Sequence, residues 1–190
     1  IEKKITSKTK AIMPVHLYGQ VCDMTSIMEI ANKYNLFVLE DCAQCYLGEH
    51  NGKVGGTFGH VGSWSFENSK HLTTGDGGII TCNDEELADR IRKLNCQGFR
   101  NATAKSGKIR ISKNIFQNPQ FKRHDRFGFM YRLPEVGAAM GLAQLEKIDW
   151  FVGLRMKMAG MYLTVISDLN CNWLSPQSVP QGEINSYYTF

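Results

Sequence analysis

The first readable pattern is a short apolar run, Ala11 to Val15, that stops at His16-Leu17-Tyr18-Gly19. An apolar run followed by turn-prone residues predicts a buried strand and a turn. Asp23 is a fit N-cap, and Met24 to Tyr34 sets Ile27, Ile30, Ala31 and Tyr34 at helical spacing, with Asn35 closing the helix. Leu36 to Leu39 is a second apolar run and ends at Glu40-Asp41. Strand, helix and strand within about thirty residues predict a βαβ unit, and hence a sheet that is at least partly parallel.

Further along, Asn51 to Gly62 is rich in Gly and polar residues and predicts a loop. Val61 to Phe66 alternates like a strand, and Ile79 to Cys82 is another short one. Asn83 then caps a helix, with Glu86 placed for a capping box, that runs to about Cys96. Residues 97 to 126 show no period and predict a long loop, a length usually tied to function or disorder. Pro134 opens a helix in its first turn. Leu133 to Ile148 is apolar or small on nearly every face, which predicts deep burial. Phe151 to Leu169 predicts a second long helix leading out of the domain, and the last stretch reads as strand-forming.

Composition adds bounds. The 190 residues are 43% hydrophobic and 21% charged, enough for one core. A net charge of +4 is mild and mixed along the chain, except in the basic stretch from Lys105 to Arg126. A nucleic-acid binder carries a denser basic face, so no nucleic-acid partner is expected. The basic stretch reads as a solvated loop or as a contact for an anionic substrate. No apolar run approaches the ~18 residues of a membrane span, and the start has no apolar core of a signal peptide, so neither membrane nor secretion is expected. The six cysteines are scattered, as in a reduced, cytoplasmic enzyme. The chain does not begin with Met and stops in the β-prone run Ser186 to Phe190, so a partial chain carrying part of a site is expected.

Three groups of residues bear chemistry: Glu40-Asp41-Cys42-Ala43-Gln44, then Ser63 to His71, then Gly75-Asp76-Gly77-Gly78. Taken singly, each has an ordinary explanation. Asp41 follows a parallel strand, where open α/β sheets bind ligands, but it also fits a turn. The glycine-rich group fits a hairpin turn as well as a phosphate cradle. Cys42 and Cys45 form one C-x-x-C pair, which is half of a zinc site or two small packing residues. Together the groups match the needs of pyridoxal 5'-phosphate (PLP). Its aldehyde needs an amine, its pyridinium nitrogen an anion, and its phosphate donors. Lys70 offers the amine, Asp41 the anion, and Ser65, five residues before Lys70, a hydroxyl.

These groups resemble a known family. Pro14 to Gln20, Glu40 to Gln44, Val61 to Gly78, Thr81 to Ala88 and Tyr131 to Lys147 stand in the order found in the DegT/DnrJ/EryC1/StrS sugar aminotransferases. The resemblance covers residues 11 to 150 and implies an aspartate aminotransferase-like, PLP-dependent transferase fold. On that basis, residues 1–150 would be the C-terminal part of the large domain, α/β with a mixed, mostly parallel sheet. Residues 151–190 would begin a smaller α+β domain.

The resemblance also implies roles. Lys70 takes the position of the lysine that forms a Schiff base with the cofactor, Asp41 that of the pyridinium partner, Gln44 that of a residue near the phenolic oxygen, and Ser65 that of a phosphate ligand. His16 lies in a motif near the site, as a substrate contact or as a hydrogen-bonded histidine at a strand end. The implied activity moves an amino group from an amino acid, glutamate by analogy, to a nucleotide-linked keto sugar, in amino-sugar and polysaccharide biosynthesis. The implied assembly is a homodimer with sites at the interface. Related dehydratases carry His in place of the lysine, and some members are regulatory; here Lys70 keeps its spacing and His71 stands beside it. In Gly128-Phe129-Met130-Tyr131-Arg132, Met130 replaces a family Asn that reaches the partner's phosphate site.

Overall fold

The computed structural model describes residues 1–103 and 111–190. These fall into two compact units, one of Ile1–Thr81 with Glu135–Phe190 and the other of Cys82–Pro134.

The first unit contains the expected βαβ unit. Strand β1 (Ala11–Ile12) leads to helix α1 (Met24–Lys33) and strand β2 (Phe37–Asp41). Asp23 caps α1, its carboxylate accepting from Ser26 N at 3.0 Å, which satisfies a donor the helix leaves unpaired. Met24, Ile27 and Ala31 form the buried stripe of α1. Asn35 ends the helix in the left-handed region, with φ 51°. The four-stranded sheet has the order β1-β2-β5-β6, adding β5 (Val61–Ser65) and β6 (Gly78–Thr81). β1, β2 and β5 run parallel and β6 antiparallel, so the sheet is mixed and mostly parallel. One core cluster joins Val21, Met24, Ile27, Ala31, Leu36, Val38 and Cys45 under α1.

A small second sheet of order β4-β3-β7 comprises β3 (Glu49–His50), β4 (Lys53–Val54) and β7 (Glu183–Ile184). Asn51 and Gly52 turn β3 into β4 with φ of 52° and 75°, the backbone that an Asn-Gly hairpin supplies. The loop expected from Asn51 therefore starts with a hairpin. Strand β7 is pinned by His50, whose Nδ1 lies 2.7 Å from Glu183 Oε1. The strand-forming expectation for the end of the chain holds only at Glu183–Ile184. Pro176 and Pro180 lack an N–H for a ladder, and Tyr187 turns left-handed with φ 48°.

Helices α4 (Glu135–Leu145) and α5 (Ile148–Leu169) complete this unit. The deep burial expected for Leu133 to Ile148 is corrected: Val136 is 77% exposed and Leu142 64%. An apolar composition shows that a helix must be covered, not what covers it. Among the described residues α4 touches the sheet region at few points, such as Gln144 Oε1 accepting from Thr73 N at 2.9 Å. Ile148 and Val152 of α5 do reach a second core cluster, with Tyr46 and Leu72.

In the second unit, helix α2 (Glu85–Asn95) is capped by Asp84, not Asn83. Asp84 Oδ1 reaches Leu87 N at 2.8 Å, the spacing an N-cap needs. The long loop expected at 97–126 contains a short helix, α3 (Lys113–Phe116), and isolated bridges from Cys96 to Met130 and from Phe99 to His124. Part of that loop and part of the basic stretch lie outside the described residues.

Candidate active site

Three candidate residues share one edge of the main sheet. Val15 bridges to Asp41 beside β2, and Asp41 pairs with Ser63 of β5. Because these strands are parallel, His16, Asp41 and Ser65 all sit at or just past C-terminal strand ends, where an open α/β sheet forms its binding crevice.

Asp41 is half-buried; its Oδ1 accepts from Ala43 N at 3.0 Å, and Oδ2 accepts no hydrogen bond among the described residues. Gln44 follows in the same turn, and its Oε1 accepts from Tyr18 N at 3.1 Å, tying the turn after β2 to the turn after β1. Tyr18 itself is left-handed, with φ 55°. Ser65 ends β5, where its Oγ accepts from Glu67 N at 3.3 Å, so its own hydroxyl proton remains to be donated. Lys70 lies in the turn that follows and makes no ion pair among the described residues. Its Nζ lies 4.7 Å from the centroid of the Tyr188 ring. No hydrogen bond joins Lys70 to Asp41, Gln44 or Ser65.

His16 is fully buried. Its Nδ1 accepts from Cys22 N at 3.2 Å, and its Nε2 lies 3.0 Å from Glu40 Oε2. Both ring nitrogens are therefore engaged inside the fold, the arrangement of a hydrogen-bonded histidine at a strand end. Glu40 faces the same interior side of β2 as Val38. Its carboxylate accepts from Gly56 N at 2.7 Å, Phe58 N at 2.7 Å and Gly59 N at 2.6 Å. Burial works against its charge, but His16 and the Gly56 and Gly59 donors prevail and hold the carboxyl below its ordinary range. The Glu40–His16 pair thus fixes the segments leading to Asp41 and to the turn after β1.

His71 is also buried. Its Nε2 meets Ser186 O at 3.1 Å, and burial, aided by the nearby charges of Arg155 and Lys70, pulls its pKa down to about 4. Tyr46 spans the floor of the region, its hydroxyl donating to Ser65 O at 2.6 Å.

Cys42 and Cys45 pack as small buried residues. Cys45 N donates to Cys42 O at 3.0 Å, and Cys45 Sγ donates to Gly19 O at 3.3 Å. Burial pushes the Cys45 thiol up to about 11 and raises that of Cys42, which keeps both protonated. All six cysteines are free.

Sequence reasoning passed over Glu40, Tyr46 and Tyr188. The signal for Glu40 was present: on an alternating strand it falls on the same face as Val38, and a carboxylate there needs partners. Tyr188 had no local signal, because its contacts bridge more than a hundred residues of chain.

The comparisons with known proteins bear on this site. The profile of the DegT/DnrJ/EryC1/StrS aminotransferase family matches residues 1–190, and the chain belongs to that family. GDP-perosamine synthase of Escherichia coli O157:H7 is 41% identical over 169 residues, covering 89% of this chain and 42% of that protein. Spore coat polysaccharide biosynthesis protein SpsC of Bacillus subtilis is 36% identical, covering 89% of this chain and 42% of that protein. Among solved structures, an aminotransferase from Psychrobacter cryohalolentis aligns with a TM-score of 0.83 at 33% identity, over 97% of this chain and 47% of that one. The E. coli GDP-4-keto-6-deoxy-D-mannose-3-dehydratase with bound hydrated PLP aligns with a TM-score of 0.81 at 28% identity, over 98% of this chain and 47% of that one. The chain spans less than half the length of the curated relatives it matches. No helix among the described residues is long and apolar enough to cross a membrane.

Proposed function

We propose that the protein carrying this chain is a PLP-dependent aminotransferase that moves an amino group from an amino acid, glutamate by analogy, to a nucleotide-linked keto sugar. The observation that carries this reading is the shared sheet edge. Asp41 and Ser65 end neighbouring parallel strands, and Lys70 follows Ser65 by five residues. Among the described residues the donor set fits PLP in its chemistry: a carboxylate with an oxygen to spare, a hydroxyl with a proton to give, and a primary amine outside any ion pair. When bound, PLP supplies the electron sink that lets a proton leave the carbon bearing the amino group.

The chain's own residues divide the remaining work. Lys70 would hold the cofactor by its amine and, once released, would carry the proton to and from the reacting carbon. Asp41 would favour a protonated ring nitrogen by its opposite charge. Ser65 would offer its hydroxyl to the phosphate, and Gln44 would help orient the ring. His16 acts from behind, holding Glu40 and with it the segment that ends in Asp41.

The dehydratase reading would need a histidine in place of the lysine, and position 70 keeps its lysine, while the neighbouring His71 is buried with its Nε2 on Ser186 O. We further propose residues 1–150 as part of the large domain, 151–190 as the start of a smaller one, a cytoplasmic location, and a homodimer with its sites at the interface. Replacement Lys70→Ala in the full-length enzyme is expected to abolish transamination, measured as keto-acid release from the amino donor. Substantial remaining turnover would overturn the assignment.

A further inference from the structure

The segment Asn185–Tyr188 is distant from Lys70 in sequence and lies beside it in space. Ser186 is fully buried, and its N–H donates to Gly19 O at 3.0 Å. Asn185 Oδ1 accepts from Tyr187 N at 2.7 Å, which fixes the left-handed turn at Tyr187. A side chain on Gly19 would collide with Tyr187 N, so the two backbones need glycine to approach this closely. These bonds deliver Tyr188 to one place. Its carbonyl accepts from Arg155 Nη1 at 2.6 Å, and its hydroxyl lies 2.9 Å from Ser69 Oγ. Its ring face then meets Lys70 Nζ, 4.7 Å from the centroid.

We propose that Tyr188 is a positioning residue for the Lys70 amine, holding it as an ammonium over the ring when no cofactor is attached. The proposal rests on the reading of Lys70 as the cofactor's lysine. The negative face of an aromatic ring attracts a cation and so favours the protonated amine. The other charged or titratable groups around Lys70 make no ion pair with its amine among the described residues. Glu67, on the same turn, attracts Lys70 by its opposite charge at longer range, with its Oε2 held on Ser69 N and Oγ at 3.0 and 2.6 Å. His71 is neutral, and Arg155, from α5, carries a like charge and is engaged by the Tyr188 carbonyl. The ring is the group at contact distance. It sets where the amine waits when no cofactor is attached.

The test uses the full-length protein freed of cofactor. Lys70 is acetylated competitively with acetic anhydride across a pH series, and the modified peptide is quantified by mass spectrometry. Tyr188→Leu is expected to lower the midpoint of Lys70 reactivity, giving roughly three- to tenfold more free amine at a fixed pH below it. Tyr188→Phe is expected to stay within about twofold of the parent, because it keeps the ring, and Tyr188→Trp to raise the midpoint, because indole binds cations best. A higher plateau rate with an unchanged midpoint in Tyr188→Leu would mean the ring only covers the amine, and would overturn the proposal. If Tyr188→Leu does not fold, Tyr188→Trp decides: a midpoint at or below the parent's overturns it. Borohydride fixation of PLP separates this from the underlying reading. Fixation on Lys70 without any midpoint shift defeats the role of Tyr188 alone. A midpoint shift without fixation on Lys70 defeats the cofactor reading and leaves the ring's hold on the amine standing.

Discussion

At the residue scale, the site is a set of polar groups whose neighbours were chosen for them by burial. Among the described residues Asp41 keeps Oδ2 free, because Ala43 N takes only Oδ1. Glu40, one position earlier, faces inward and is consumed by structure. His71 shows the same logic with opposite charge. Its burial favours the neutral ring, so its folded pKa lies near 4 against an ordinary 6.5. The stability it contributes is therefore fully present above 6.5, declines as pH falls below that value, and is lost by about 4, because the unfolded chain binds the proton first. Urea unfolding of the full-length protein across this window is expected to show a limb that rises with pH and that His71→Phe flattens. An identical slope in parent and variant would contradict the buried neutral state.

At the element scale, the βαβ unit was legible because its signals are local. Apolar runs, an Asp N-cap and a closing Asn act within a turn or two of chain, and each forms as expected. What escaped turned on geometry that residue type leaves open, either within a turn or with distant partners. The cap of α2 moved one residue because both Asn83 and Asp84 suit the position and geometry picks the one that reaches Leu87 N. The burial of α4 was misjudged because hydrophobicity records the need for a cover and not its source. Residues 55–59 fall in the stretch that the sequence predicts only as a loop, yet they form a cradle whose N–H groups hold Glu40. Gly56 has φ +86°, and a Cβ there would strike the Trp64 ring. Gly56→Ala is thus expected to cost about 3 kcal/mol, from left-handed strain together with overpacking, and to loosen the strand end that carries Asp41. Denaturant unfolding checks the first effect, and a weaker PLP dissociation constant checks the second.

At the scale of the whole molecule, the candidate residues that sequence motifs bring out are those the proposed cofactor would need. Asp41 and Ser65 share one end of the sheet, Gln44 follows Asp41 in its turn, and Lys70 follows Ser65 in the next. Tyr188, which meets Lys70, and Arg155, which holds the Tyr188 carbonyl, come from later in the chain. The apolar residues of α4 and α5, including Val136, Leu142, Leu145, Trp150 and Met161, are exposed in this chain, which spans less than half the length of its relatives. We propose that the partner subunit of the homodimer covers the α4 part of them. Leu142→Glu in the full-length protein is expected to weaken association by at least tenfold in sedimentation velocity, since a charge cannot be buried there without a partner. An unchanged association constant would remove α4 from the interface.

The full-length protein, loaded with PLP and reduced with borohydride, is digested and its lysines are mapped by mass spectrometry. The reduced pyridoxyl group is expected on Lys70, together with loss of the visible absorption band of the bound cofactor. A label on another lysine, or an unmodified Lys70 in cofactor-loaded protein, would contradict it.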